Sequence, residues 1–233
     1  MRTTFLLLTA VFSLMLAAAT APNMNELRHA RDRQDRAALD RMIALYEQNA
    51  KSASTPDANY RLALAYSSAA EVAIEQRDKH KAEQYAESGM EAAQKAVNAS
   101  PNNAEYHRIL GQLCGQVIPA NPLFGALKYG QCARDETNKA IELNSKSAMA
   151  YVSRGVGNYY LPAQFGGGVE LALKDFDKAI ALNPRLVDAY LWKGVALRKA
   201  NRNAEAHAAL EKAVQLDPDR VWAKQQLDKT PPH

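Results

Sequence analysis

Apolar positions in this chain recur mostly at intervals of three and four residues, the spacing that lines one face of an α-helix. Between Asn25 and Ala50, Leu39, Met42, Ile43 and Tyr46 form such a stripe, which predicts a single amphipathic helix at the start of the folded region. Further along, the pattern becomes a phrase: Lys139-Ala140-Ile141-Glu142-Leu143-Asn144-Ser145, Lys178-Ala179-Ile180-Ala181-Leu182-Asn183-Pro184 and Lys212-Ala213-Val214-Gln215-Leu216-Asp217-Pro218. Repetition of this kind predicts a stack of supersecondary units, each burying its apolar face against the next. Such a stack is a surface for holding partners more often than a catalytic pocket.

The helix-ending positions Pro56, Pro101, Ser145, Pro184 and Pro218 are separated by 45, 44, 39 and 34 residues. In the last unit an aromatic, a small and a large apolar residue (Tyr190, Gly194, Leu197) precede a small, large, small and proline series (Ala206, Leu210, Ala213, Pro218). The small residues let two helix backbones approach, the large ones fill the space beside them, and proline cannot continue the helix. Tyr151, Gly155, Ala172, Phe176, Ala179 and Pro184 repeat the series one unit earlier, with Asn158 in place of a large apolar residue. The unit opened by Pro101 keeps Gly111, Ala133 and Ala140 but has Thr137 where bulk is expected, and the unit after Pro56 keeps only an Ala-rich helical character.

This series, at a period of 34, resembles the tetratricopeptide repeat, a pair of antiparallel helices. The resemblance covers residues 57 to 223 and implies an all-α fold, a tetratricopeptide-type α-solenoid with longer inter-helix loops in its central repeats. The expected divisions are a signal peptide at 1–19, an N-terminal capping helix within 20–56, four helix pairs at 57–101 (degenerate), 102–145, 146–184 and 185–218, and a C-terminal capping helix and tail at 219–233. The extra residues are expected between paired helices, at 118–125 and 161–168, where proline, phenylalanine and glycine precede a helix. Phe124 and Phe165 are expected to plug the core there. The arrangement is similar to a group of exported bacterial tetratricopeptide proteins with a Pro…Gly-Gly…Ala element, and more distantly to the T component of TRAP-type transporters.

In the tetratricopeptide family the first helix of each pair lines a concave wall, and the resemblance assigns to it Glu105, Arg108, Gln112 and Gln116, then Met149, Val152, Val156, Tyr159 and Tyr160, then Asp188, Leu191, Val195, Arg198 and Lys199. Of these, Arg108, Gln112, Val152, Tyr159, Tyr160, Leu191, Arg198 and Lys199 form the expected groove for a protein or peptide partner. Aromatic and arginine side chains commonly carry interface energy. Ala63 and Ser67 stand where the carboxylate clamp of chaperone-binding members has lysine and asparagine, so that partner is not expected. The alternative reading is an accessory of solute uptake that shelters a small organic anion, though no lipid-anchor cysteine follows the apolar leader.

The ends and the composition set the setting. Arg2, the apolar run Phe5 to Leu16 and Ala17-Ala18-Ala19 read as an export signal cleaved after Ala19, which places the mature chain in an exported, periplasmic compartment. Retained as an anchor, Phe5 to Ala19 would make roughly 22 Å of helix against a hydrocarbon core of about 30 Å. No membrane span is expected after cleavage. The formal charge of +4 is spread over interleaved acidic and basic residues, a solvated surface with little to attract nucleic acid or anionic lipid. Cys114 and Cys132 fall on the two helices of one hairpin and either form a bridge or remain buried thiols.

Chemistry has little footing in this sequence. His29, His80, His107, His207 and His233 are scattered, and no metal-ligand or nucleophile motif occurs, so a non-enzyme without catalytic residues, metal or cofactor is expected. His107 falls at an aromatic packing position and is expected to be a buried structural ring. Gly166 to Gly168 precede a helix, where free N–H groups could hold an anion, but the Walker lysine and a preceding strand are both missing. Backbone angles closed to other residues are the plainer reason for that glycine run.

Overall fold

A computed structural model describes residues 23–120 and 122–232; the expected signal peptide lies outside them. Eleven α-helices follow one another among the described residues: α1 (Met24–Asp32), α2 (Arg36–Ala53), α3 (Pro56–Glu75), α4 (Lys79–Ala99), α5 (Ala104–Val117), α6 (Pro122–Leu143), α7 (Ala148–Tyr160), α8 (Val169–Leu182), α9 (Val187–Lys199), α10 (Asn203–Leu216) and α11 (Val221–Asp228). Consecutive helices pair, and α3, α5, α7 and α9 touch one another in turn, so the pairs stack as a solenoid with these four on one side. Four of the pairs are α3 with α4, α5 with α6, α7 with α8 and α9 with α10. Their starts are set locally: Asp35, Thr55, Asp78 and Ser147 each accept a hydrogen bond from the amide three residues on, which satisfies a donor the helix cannot.

The N-terminal segment corrects the expected single capping helix. Gln34 takes a left-handed backbone (φ 56°) and Asp35 caps a new helix through the Ala38 amide, so the segment is a fifth pair, α1 and α2. Leu27 and Ala30 of α1 are buried in one cluster with Leu39, Met42, Ile43 and Tyr46 of α2. Burying the α2 stripe required a partner helix, and α1 supplies it.

The extra residues also fall differently. In the unit after Pro56 they lengthen the helices to 20 and 21 residues, against 13 and 14 in the last pair, without widening the turn between them. In the next unit the Pro122-Leu123-Phe124-Gly125 stretch is the first turn of α6 and not a loop. Phe124 is therefore no core plug: it is 67% exposed. The long connection is the one at 161–168, with a 3-10 turn at Ala163–Phe165, and there Phe165 does pack on Ile118, Ala126 and Leu161. Gly166 and Gly168 have φ of 85° and 126°, the backbone reason expected for the glycine run.

At the repeat positions the helices pack closely. A methyl group on Gly194 would lie 2.5 Å from Leu210 Cγ, and one on Gly155 would lie 2.5 Å from the Phe176 ring. Ala172, Phe176, Ala179, Ala206, Leu210 and Ala213 have no exposed surface and Leu197 has 1%, while Pro184 and Pro218 stand just beyond the ends of α8 and α10. Thr137 is tolerated at a large-residue site because its methyl already fills the approach to Gly111 and its hydroxyl donates to the Ala133 carbonyl at 2.7 Å. His107 is buried, its ring nitrogens 2.6 Å from Glu136 and 2.8 Å from the Pro101 carbonyl. Cys114 on α5 and Cys132 on α6 are joined in a disulfide, with Cα atoms 6.0 Å apart.

Candidate functional site

The inner wall of the solenoid is where α3, α5, α7 and α9 meet. Its middle is held by a polar ladder: Gln112 donates to Ser67 Oγ at 3.0 Å, Ser153 donates to Gln112 Oε1 at 3.0 Å, and Gln116 donates to the Ser67 carbonyl at 3.1 Å. Ser67, at the place of the clamp asparagine, is thus occupied in joining α3 to α5. Beyond the ladder, Met149, Val152, Val156, Tyr160 and Trp192 form an apolar strip that faces a cavity of about 50 Å³. Space of that size holds a few water molecules.

The cavity is small because the first and last described helices meet over it. Arg31 of α1 contacts Asp188 of α9 at 3.0 Å, and Arg220, just before α11, reaches back to Glu71 at 2.8 Å and to Glu75 of α3. Arg31 also pairs with its neighbour Asp32 at 2.7 Å, and Gln34 donates to Glu75 at 2.8 Å. Trp222 of α11 packs on Trp192, ring centroids 4.9 Å apart, and lines the same cavity. Solenoid curvature alone would leave an open groove, and these contacts close it into a ring. Arg31, Glu71, Glu75, Arg220, Trp192 and Trp222 were not singled out by sequence reasoning, which had no signal pairing residues about 150 positions apart in the chain.

The electrostatics of the junction follow from burial. Arg220 has no exposed surface, and although desolvation works against its charge, Glu75 and Glu71 outweigh it and hold its pKa above the ordinary value. Asp188, equally desolvated, is held below the usual carboxylate range by Arg31 and Arg220. Glu71 goes the other way: burial, only partly opposed by the two guanidinium groups, lifts it to about 7. Four carboxylates (Asp32, Glu71, Glu75, Asp188) face the two guanidinium groups and engage both of them.

The expected groove residues divide. Gln112, Val152 and Tyr160 line the cavity. Leu191 does not: with no exposed surface it is core, and cannot touch a partner. Arg108 is 5% exposed and bound within the fold, to Glu105 at 2.6 Å and Gln112 at 2.8 Å. Arg198 is engaged by the chain's own C-terminal region, donating to the Gln226 carbonyl at 3.2 Å and to Thr230 Oγ1 at 2.8 Å. Lys199 lies 4.2 Å from the Tyr159 ring centroid and donates to the Tyr159 carbonyl at 2.9 Å, and neither residue lines the cavity. The charged groups were read as partner contacts because position along a helix gives the face; what already covers that face is a tertiary fact.

Among the described residues no helix is long and apolar enough to cross a membrane, and no group of His, Cys, Asp and Glu is arranged to hold a metal. A tetratricopeptide protein of the thermophile Thermus thermophilus has a similar fold, with a TM-score of 0.63 at 18% identity over 89% of this chain and 97% of that one. A tetratricopeptide pattern matches residues 187–220, the last helix pair. Regulator of microtubule dynamics protein 3 of Bos taurus is 29% identical over 181 residues, and that of Rattus norvegicus 26%. Each alignment takes in 70% of this chain but 37% of the relative, so the chain spans little more than a third of the length of these curated relatives. The family pattern described as regulator of microtubule dynamics protein 1-3 matches residues 23–161, the N-terminal pairs where the repeat signal is faintest, and with more than half of the chain inside that match, the chain belongs to this family.

Proposed function

We propose that this chain is a non-enzymatic scaffold that holds a segment of a protein partner against its inner wall, in an exported compartment. The observation that carries the reading is the strip Val152, Val156, Tyr160 and Trp192 beside the amide groups of Gln112 and Gln116. Such a surface has apolar area for affinity and a few polar groups for register, as helical-repeat grooves require. With the ends joined, the space admits little more than one small side chain, so a longer segment enters as α1 and α11 part. The leader at 1–19 and the Cys114–Cys132 bridge support export, since disulfides persist in oxidising compartments.

Capture of partners by the tagged chain tests this reading, with assembled microtubules among the baits because the relatives' names point there. Val156→Lys, at a half-buried position on the strip, should abolish capture while helical content is kept. Tyr159→Ala, outside the cavity, should leave it largely intact. Undiminished capture by the Val156→Lys chain would defeat the inner-wall assignment.

A further inference from the structure

In a stack of antiparallel pairs, the turns within each pair fall along one edge. Here the contacts trace that edge: Arg36 pairs with Asp78 at 2.9 Å, Arg77 and Lys79 share a groove with Pro119 and Ala120, Ile118 clusters with Leu161 and Phe165, and Lys199 bonds the Tyr159 carbonyl. Basic residues that are dispersed in the sequence come together on it. Arg77 and Lys79 form no ion pair with another described residue, and Lys128, 69% exposed, has Glu87 at 3.7 Å.

An apolar ridge rises from the same edge. Leu123, Phe124 and Leu127, at the start of α6, are 56%, 67% and 62% exposed. Their three- and four-residue spacing sets them side by side. From those exposures the ridge shows roughly 350 Å² of apolar surface, as much as the largest patch on many soluble monomers and seldom without a role. Two ridges face to face would bury roughly 700 Å², short of the about 1,200 Å² of a stable dimer. A convex ridge flanked by cations instead complements a soft, anionic surface.

We propose that this edge docks on an anionic lipid surface, with Leu123, Phe124 and Leu127 entering the headgroup boundary and Arg77, Lys79 and Lys128 facing the lipid phosphates. None of these residues lines the inner-wall cavity, although Ile74 and Tyr160 border both that cavity and the groove beside Arg77 and Lys79, and the inference does not rest on the scaffold reading.

The test is co-sedimentation of the full chain with vesicles of phosphatidylcholine alone or mixed three to one with phosphatidylserine. The chain should pellet preferentially with the anionic vesicles, less so at high salt. Leu123→Ser/Phe124→Ser/Leu127→Ser and, separately, Arg77→Glu/Lys79→Glu should each weaken that binding roughly tenfold or more. All five positions are exposed, so circular dichroism should show unchanged helix. Phe124→Trp reports on the ridge itself, independently of the apolar leader, and its emission should be quenched by brominated lipid. Equal pelleting of the parent and triple-serine chains, an unquenched Phe124→Trp, or a dimer that the triple-serine change dissolves would each overturn the proposal.

Discussion

Arg220, without exposed surface, places its guanidinium between the carboxylates of Glu71 and Glu75, which precede it by 149 and 145 residues. The pair of contacts turns a stack of neighbours into a closed body, because it ties the start of α11 to the C-terminal end of α3. Removing one partner of a buried ion cluster leaves the others desolvated and uncompensated. Arg220→Leu should therefore destabilise the chain by about 3–5 kcal/mol. Urea unfolding of parent and variant checks this; a midpoint shift of only a few tenths of a molar would mean that the junction contributes little.

The same cluster makes stability depend on pH in an unusual direction. Glu71 is lifted from 4.5 to about 7, so the folded chain holds that proton more tightly than the unfolded chain does. Its stabilising contribution is complete below pH 4.5 and is lost as pH rises through 7, up to about 3 kcal/mol. Asp188, held low, adds stability that is already complete above its ordinary value near 3.8 and is constant across this window. The melting temperature should thus fall between about pH 4.5 and about 7 and level off above that, and Glu71→Gln should flatten the profile. A profile unchanged by that substitution would assign the dependence elsewhere.

Reduction of the Cys114–Cys132 bridge frees a loop of 18 residues' separation. Closing a loop of that length constrains the unfolded chain by about 3 kcal/mol. Reductant should lower the melting temperature of the parent chain and leave that of Cys114→Ala/Cys132→Ala where it is. A reductant-insensitive parent would count against the bridge.

Two helical glycines form a matched pair. At Gly194 a methyl would collide with Leu210 at 2.5 Å, whereas at Gly157 it would meet nothing within 4 Å. Gly194→Ala should cost roughly 1–3 kcal/mol through overpacking. Gly157→Ala should gain about 0.5–1 kcal/mol from backbone entropy alone. Denaturant melts of both variants decide it, and similar signs for the two would break the close-approach argument.

Periodicity made the C-terminal half legible. Gly155, Phe176, Gly194 and Leu210 have the sizes they have because adjacent backbones touch there, and that requirement repeats in the last two units. The N-terminal half was read more coarsely. In α3 and α4 a run of buried alanines, such as Ala63, Ala65, Ala86 and Ala93, packs long helices without the large and small alternation of the repeat. The break at Gln34 was missed for a related reason: a left-handed non-glycine residue has no strong local signature, and an apolar stripe runs on past it.

The division between what one-dimensional information sets and what folding adds is sharpest at charged residues. Helix pairs, their order and the small residues at their crossings follow from local spacing, since each crossing involves residues within one unit or its neighbour. Arg31, Asp188 and Arg220 read as ordinary surface charges along the chain, as do Arg77, Lys79 and Lys128. Only the cumulative curvature of five stacked pairs brings the first three into a buried cluster, and only the stacking of the pairs sets the others along one edge. Curvature is the sum of small rotations at every interface, and no single segment of sequence contains it.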